Sequence, residues 1–106
     1  MNNAERIIAW VKLIPCLKVL TYGDISNCVY GHRRAGRAVG AVIRANENDP
    51  DVPWWRVVNN EFRPAPARRD EATKLLKAEG YKFCGDTVHE MHRWQREDMP
   101  NALPIA

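Results

Sequence analysis

The chain has 106 residues, of which 45% are hydrophobic and 27% charged, and its formal net charge is +3. These values are ordinary for a soluble globular protein and indicate one domain over residues 1–106 with a modest core. No stretch approaches the length of a membrane span and the N-terminus lacks the form of a signal peptide, which argues against a membrane protein and favours the cytoplasm.

The chain is predicted to begin with a helix. Ile7, Val11 and Ile14 recur at helical spacing, which indicates an amphipathic helix over residues 3–14 that Pro15 ends.

Two further helices are predicted in the first half of the chain. A short extended piece and a turn over residues 18–23 precede a helix over 25–30, which Asp24 is expected to cap and Gly31 to end. A longer helix over 34–46 follows. A short helix, a turn and a longer helix rich in arginine form the order of a helix-turn-helix unit.

The second half is predicted to alternate loops with short regular elements. In chain order these are a loop over 48–51, a strand-like run over 52–59, an irregular loop over 60–67, a helix over 69–79, a short strand pair over 81–94 and a frayed last ten residues with Pro100 and Pro104. The predicted fold is therefore mainly α with a small β element.

The positive charge is concentrated in the third predicted helix, since residues 33–44 contain four arginines and no acidic residue. Three of them share one helical face, and two glycines flank it: Arg33, Arg37 and Arg44, with Gly36 and Gly40. Each glycine costs about 1 kcal/mol of helix stability relative to alanine but allows a sugar-phosphate chain to approach closely. This face favours nucleic-acid binding, with solvated surface arginines as the alternative.

Two adjacent tryptophans stand in the strand-like run, in the sequence Val52-Pro53-Trp54-Trp55-Arg56-Val57-Val58. Neighbouring side chains of a strand point to opposite faces, so we do not expect both indoles to face one core. An indole offers a flat apolar surface on which a base can stack. We therefore expect one of the pair to face a pocket, with two core tryptophans as the alternative.

The cysteines and histidines do not indicate a metal site, and no cofactor motif is readable. Cys16, Cys28 and Cys84 are an odd number without metal spacing, which favours free thiols, and Cys16 is expected to be buried or half-buried. His89 and His92 lack an evident third ligand, so we expect a surface pair.

Several segments together resemble the O6-alkylguanine-DNA alkyltransferases. In family order and at near-family spacing they are Lys18 to Ile25, Arg37-Ala38-Val39-Gly40, Asn46, Pro53 to Val58 and Leu75 to Gly80. The resemblance covers about residues 4–82, so residues 83–106 are interpreted as a C-terminal extension. It implies a winged helix-turn-helix-like DNA-binding domain.

The reactive centre departs from that family. The frame Pro-x-x-Arg-Val resembles the family motif Pro-Cys-His-Arg-Val, with Trp54 at the position of the alkyl-acceptor cysteine and Trp55 at that of the histidine. An indole is neither an alkyl acceptor nor a proton-relay base. The pattern is therefore similar to that of the alkyltransferase-like proteins, which recognise alkylated guanine without dealkylating it, although those usually keep the histidine. The resemblance implies a protein that is not an enzyme.

The resemblance also implies a set of DNA contacts. Arg37 matches the arginine finger, which enters through the minor groove and fills the place of an extruded nucleotide. Tyr22 matches the tyrosine that drives the rotation of that nucleotide. The other expected DNA contacts are Arg33, Gly40 and Arg44.

The expected lesion pocket comprises Tyr22, Ile43, Trp54, Trp55, Val57 and Arg69. Arg69 is preferred to Arg68 as the loop arginine that reaches the lesion. Three residues have expected structural roles, since Asn46 braces the turn before the reactive segment and Arg56 pairs with Glu79.

The resemblance implies a monomeric DNA-damage sensor that is cytoplasmic and associated with the nucleoid. Its expected partners are duplex DNA containing O6-alkylguanine and nucleotide-excision repair proteins, without a membrane, metal or cofactor. Two alternatives remain open: an active alkyltransferase that uses a non-standard cysteine, and a plain helix-turn-helix regulator whose tryptophans belong to the core.

Overall fold

The computed structural model describes residues 1–103, and its first element is a capped helix, α1 (Asn3–Leu13). The side chain of Asn2 accepts a hydrogen bond from the Glu5 N–H, and the Glu5 side chain accepts one from the Asn2 N–H. This capping box satisfies two N–H groups at the helix start. Ile7 and Val11 are fully buried. The predicted helix is confirmed to within one residue at its C-terminal end.

The second helix begins three residues earlier than predicted, because its cap is different. The strand β1 (Leu20–Thr21) leads directly into α2 (Tyr22–Tyr30), without the predicted turn. Thr21 is the N-cap, and its hydroxyl accepts from the Asp24 N–H at 3.0 Å while Asp24 accepts from the Thr21 N–H at 3.0 Å. Asp24 is therefore the third residue of the helix rather than its cap. Gly31 ends α2 with φ 78°, as predicted.

The third helix, α3 (Gly36–Ala45), begins two residues later than predicted. Arg33 lies in the connection over residues 31–35, so its predicted place on the arginine face of the helix is wrong. Arg37 and Arg44 do lie on α3, where both are exposed.

The strand-like run over 52–59 is mostly not a strand. Trp54–Arg56 form a 3-10 turn, which the Arg56 N–H closes with a 3.0 Å hydrogen bond to the Pro53 carbonyl. Only β2 (Val57–Val58) is extended, and it pairs in parallel with β1. The tryptophans thus belong to a turn that precedes the strand.

The predicted helix and strand pair of the second half are present. A 3-10 turn over Pro66–Arg68 leads into α4 (Arg69–Ala78). The antiparallel hairpin consists of β3 (Phe83–Cys84) and β4 (Thr87–Val88). With the helices around a small amount of sheet, the mainly α fold with a small β element is confirmed.

The segment after the hairpin packs against the N-terminal half. Trp94 is buried in the main core, and Met99 packs against it. A 3-10 turn over Arg96–Asp98 lies between them, so the predicted fraying of the last ten residues is wrong for these positions, while Pro104 lies outside the described residues.

The histidines of this segment are not a surface pair. His92 is 5% exposed, and its Nε2 accepts from the Lys82 N–H at 2.8 Å while Nδ1 lies 2.9 Å from the Leu17 carbonyl oxygen. Each ring nitrogen of His92 therefore has a hydrogen-bond partner within the protein, so neither requires a metal as partner. Within residues 1–103, no three His, Cys, Asp or Glu side chains cluster as metal ligands do.

The main core lies where α1, α2 and α3 pack together around β1 and β2. Its buried members are Ile7, Val11, Ile14, Leu20, Ile25, Val39, Ile43, Val52, Trp54, Val57, Ala72 and Trp94. No helix in the described part of the chain is both long and apolar enough to cross a membrane.

Candidate nucleic-acid interface

A cavity of about 290 Å³ opens beside Trp54 between α2, α3 and the loop before α4, and is called the Trp54 pocket here. It is lined by Tyr22, Gly40, Ile43, Arg44, Glu47, Trp54, Ala65, Pro66, Ala67 and Arg68. Trp54 is 4% exposed, so the indole is both a core residue and the pocket wall. Trp54 therefore combines the two alternatives, since it is a core tryptophan that also faces a pocket.

Trp54 and Trp55 contact each other instead of pointing to opposite faces. Their ring centroids are 5.9 Å apart and their planes meet at 88°, an edge-to-face pair. The strand alternation expected for them fails because both residues lie in the 3-10 turn.

Arg68, and not Arg69, is the loop arginine at the pocket. Its guanidinium carbon lies 4.6 Å from the centroid of the Trp54 ring, a cation–π distance. Arg69 does not line the pocket; its Nε donates to the Pro64 carbonyl at 3.3 Å. In the pocket lining Arg68 thus stands where Arg69 was expected, and the contact of a loop arginine with the lesion stays a prediction.

Tyr22 is the first residue of α2 and lines both the Trp54 pocket and a second cavity beside it. Its ring lies against α3 at Gly40, where an added Cβ would be 3.8 Å from Tyr22 Cε1. This is an ordinary van der Waals distance, so the tyrosine itself does not require a glycine at this position. Burial raises the pKa of Tyr22, with Arg44 opposing and Glu47 reinforcing the shift, so the phenol is neutral at physiological pH.

A second, more open cavity of about 480 Å³ adjoins the pocket and is called the arginine groove here. It is lined by Tyr22, Gly23, Arg33, Gly36, Arg37, Gly40, Ala41, Arg44, Asn59, Asn60 and Pro66. All five predicted DNA-binding residues are in this set. No acidic side chain of residues 1–103 lines the groove, so its electrostatic potential suits a phosphate backbone.

Arg33 reaches the groove from an ion pair with α2. Its Nη1 lies 2.8 Å from Asp24 Oδ1, and Arg93 of the C-terminal segment lies 2.6 Å from the same oxygen. Burial opposes ionisation of Asp24, but hydrogen bonds from the Thr21 backbone and Arg33, with the charges of Arg93 and Arg33, outweigh it and lower its pKa. Arg93 was not singled out by sequence reasoning, because its partner is distant in the chain.

Of the other predicted pocket residues, Ile43 lines the Trp54 pocket, whereas Val57 and Trp55 do not. Val57 is fully buried in the core. Trp55 instead donates from Nε1 to Glu79 Oε1 at 2.9 Å.

Arg56 and Glu79 form a half-buried ion pair. Arg56 Nη2 donates to Glu79 Oε2 at 2.7 Å, while Nη1 donates to the Ile14 carbonyl at 2.8 Å. Burial opposes ionisation of Glu79, but the hydrogen bonds from Arg56 and Trp55 lower its pKa. The network fixes the 3-10 turn against the ends of α1 and α4.

Asn46 acts on its own helix. It is the C-cap of α3, and its Nδ2 donates to the Val42 carbonyl at 2.8 Å. Its carbonyl also accepts from the Asp49 N–H at 3.1 Å in the turn that follows, so the cap is compatible with the expected bracing of that turn.

Glu47 is a pocket residue that sequence reasoning missed. It follows the cap of α3 and forms a 3.2 Å ion pair with Arg68. Its only sequence signal is its position three residues after Arg44, and its partner comes from a loop whose path was not predictable.

The three cysteines lie away from the Trp54 pocket. Cys16, Cys28 and Cys84 are free and exposed, and none of them lines it. The expectation that Cys16 is buried or half-buried is wrong, because it follows the end of α1 in an exposed connection.

Comparison with known proteins agrees with this geometry. The family model of the 6-O-methylguanine DNA methyltransferase DNA-binding domain matches residues 2–81. The chain is 31% identical over 93 residues to the DNA base-flipping protein of Escherichia coli strain K12, which covers 86% of this chain and 71% of the relative. It is 30% identical over 94 residues to the DNA base-flipping protein of Vibrio parahaemolyticus serotype O3:K6 strain AQ3810, which covers 85% of this chain and 93% of the relative.

Two solved structures share the fold. S. pombe Atl1 in complex with damaged DNA containing O6-carboxymethylguanine has a TM-score of 0.75 at 23% identity, over 88% of this chain and 94% of that chain. S. pombe ATL in complex with DNA has a TM-score of 0.71 at 24% identity, over 87% and 94%. The chain belongs to the family of the 6-O-methylguanine DNA methyltransferase DNA-binding domain, among its alkyltransferase-like DNA base-flipping relatives.

Proposed function

We propose that this protein recognises O6-alkylguanine in duplex DNA by extruding the nucleotide and holding it, without removing the alkyl group. The observation that carries the proposal is that the Trp54 pocket opens directly beside the arginine groove. The two cavities share Tyr22, Gly40, Arg44 and Pro66. A nucleotide that leaves a duplex bound in the groove therefore has an aromatic pocket within reach.

The size and lining of the pocket suit one base. Its volume of about 290 Å³ is close to the lower end of small-molecule sites, roughly 300 Å³. Trp54 supplies a flat wall on which the Arg68 guanidinium lies, so a base stacks there once that guanidinium moves off the ring. Stacking of a base on an aromatic side chain contributes about 1–3 kcal/mol. That gain is comparable to the few kcal/mol that extrusion costs, and the cost is smallest for a badly paired base. An alkylated guanine is thus favoured over an undamaged one.

Arg37 is the side chain best placed to fill the vacated position in the duplex. It is exposed on α3, lines the arginine groove and has no ion-pair partner among residues 1–103. A planar guanidinium can both stack and donate hydrogen bonds to an orphaned base. Arg33 differs, because Asp24 already holds it.

Retention of the alkyl group follows from the chemistry of the pocket. Trp54 stands where the family has the acceptor cysteine, and an indole does not accept an alkyl group under ordinary conditions. All three thiols lie elsewhere, as described above. The protein therefore acts as a sensor, and we extend the proposal to a handover of the lesion to nucleotide-excision repair proteins. Faster incision of an O6-methylguanine duplex by a reconstituted excision-repair system on addition of this protein tests the handover.

Recognition itself is tested by titrating two duplexes that are identical except for one O6-methylguanine, at one fixed salt concentration. We expect clearly tighter binding of the lesion duplex. Equal affinity for both duplexes contradicts the proposal and favours a plain helix-turn-helix regulator, which binds in the major groove and ignores alkylation.

A further inference from the structure

Glu47 is the only acidic side chain of residues 1–103 that lines the Trp54 pocket. Its side chain is 22% exposed and contacts Arg68, with 3.2 Å between Glu47 Oε1 and Arg68 Nη1. Arg68 in turn lies over the Trp54 ring. The carboxylate therefore stands at the wall of the cavity beside the stacking surface.

Arg68 forms ion pairs with two carboxylates. In addition to Glu47, it pairs with Glu71, three residues along the chain. Glu71 has a side chain that is 52% exposed and does not line the pocket. One guanidinium and two carboxylates leave this triad with a formal charge of −1. Arg68 is thus not available as an unpaired cation for a ligand.

The remaining charged residue of the lining is Arg44. It also lines the arginine groove, and it is exposed on α3. A bound duplex would place phosphates against that groove, and Arg44 would pair with them. The negative charge that a flipped base meets inside the pocket is therefore that of Glu47.

We propose that Glu47 determines specificity within this pocket, so that uncharged O6-alkyl groups are bound in preference to anionic ones; this rests on the proposed function. A methyl group leaves the pair between Glu47 and Arg68 intact. A carboxylate on the adduct enters the same small cavity as Glu47, and like charges placed together at a binding site are strongly disfavoured. The bound adduct would have to break the existing pair before it gained Arg68 as its own partner.

The test compares three duplexes at one salt concentration: undamaged, with O6-methylguanine, and with O6-carboxymethylguanine. The quantity compared is the ratio of the Kd for the carboxymethyl duplex to the Kd for the methyl duplex. This ratio cancels general changes in the attraction of the protein for DNA. We expect it to exceed one in the parent protein and to fall about tenfold in Glu47→Gln.

Two variants control for charge and shape. Glu71→Gln removes a negative charge from the other side of Arg68, outside the pocket, and its ratio should stay within about twofold of the parent. Glu47→Asp keeps the charge and should keep the ratio above one. The inference is overturned if the Kd ratio is the same in the parent and in Glu47→Gln. It is also overturned if Glu71→Gln lowers the ratio as much as Glu47→Gln does.

The outcomes separate this inference from the proposed function. Equal binding of the methyl and undamaged duplexes by the parent protein contradicts the proposed function itself. A preserved preference for O6-methylguanine with a ratio that Glu47→Gln does not change contradicts only the role of Glu47.

Discussion

The indole of Trp55 donates from Nε1 to Glu79 Oε1 at 2.9 Å. The same carboxylate group is bound by Arg56. The tryptophan thus supplies a hydrogen-bond donor to Glu79 but has no basic nitrogen with which to relay a proton.

The first prediction concerns this contact. In Trp55→Phe the ring packing is largely kept and the N–H is lost, so the protein should lose about 1 kcal/mol of unfolding free energy. Binding of the O6-methylguanine duplex should be unchanged, because Trp55 does not line the pocket. Urea unfolding and duplex titration measure the two effects. The matched variant Trp54→Phe reduces the stacking surface and should weaken lesion binding, and an equal loss in Trp55→Phe would show that both indoles contact the base.

The second prediction is a dependence of stability on pH. The pKa of Glu79 is lowered from its ordinary 4.5 in the folded protein. Its ionised form therefore stabilises the fold fully above pH 4.5, and this contribution is lost as the pH falls below 4.5 towards the lowered folded value. Glu79→Gln should cost about 1–3 kcal/mol at pH 7.

The pH series distinguishes this pair from an ordinary surface carboxylate. Urea unfolding at pH 7 and at pH 3 should show a smaller difference for Glu79→Gln than for the parent. Glu61→Gln serves as control, since Glu61 is exposed and forms no ion pair within residues 1–103. An unchanged difference in Glu79→Gln would mean that another group, such as Asp24, carries the acid sensitivity.

The third prediction concerns the arginine groove. Arg37→Ala should weaken binding of the O6-methylguanine duplex by about tenfold or more, because it removes the side chain that replaces the flipped nucleotide. Tyr22→Ala should follow it in effect. Arg34→Ala removes the same charge from an exposed residue that does not line the groove, and should weaken binding by less than about threefold. Equal losses of affinity in Arg37→Ala and Arg34→Ala would mean that Arg37 contributes only general electrostatic attraction to DNA.

The fourth prediction separates stability from binding. A Cβ at Gly40 would lie 3.8 Å from Tyr22 Cε1, an ordinary van der Waals distance. Gly40→Ala should therefore stabilise α3 by about 1 kcal/mol in thermal or urea unfolding. The methyl group projects where both cavities meet, so affinity for the lesion duplex should fall about threefold or more.

Gly36→Ala is the matched control for that effect, because Gly36 lines the arginine groove but not the Trp54 pocket. It should reduce affinity for damaged and undamaged duplexes alike. If Gly40→Ala leaves the lesion preference intact, the extruded base does not pass this residue.

Local sequence signals predicted most of the helices. Pro15 and Gly31 mark helix ends through backbone geometry alone, and the apolar spacing of α1 marks its buried face. The start of α2 was misplaced because Thr21 and Asp24 satisfy each other's N–H groups, and either residue type is a good cap on its own.

The wrong predictions at the site have a common physical cause. Tertiary packing, and not local sequence preference, determines the backbone conformation there. The valines and tryptophans of residues 52–58 are typical of a strand, yet the 3-10 turn places Trp54 in the core and beside the pocket. The 3-10 turn before α4 likewise decides that Arg68 and not Arg69 stacks on Trp54. Two adjacent arginines cannot be distinguished by spacing when the loop that carries them is irregular.

The measurement that tests the central claim most directly is a single incubation of the protein with an O6-methylguanine duplex, followed by analysis of both components. The complex is first isolated, the base composition of the DNA is then determined, and the mass of the protein is measured. Our account predicts a stable complex in which the methyl group remains on guanine and the protein mass is unchanged. Loss of the methyl group from the DNA, with its mass added to a cysteine of the protein, would show an alkyltransferase and contradict the account.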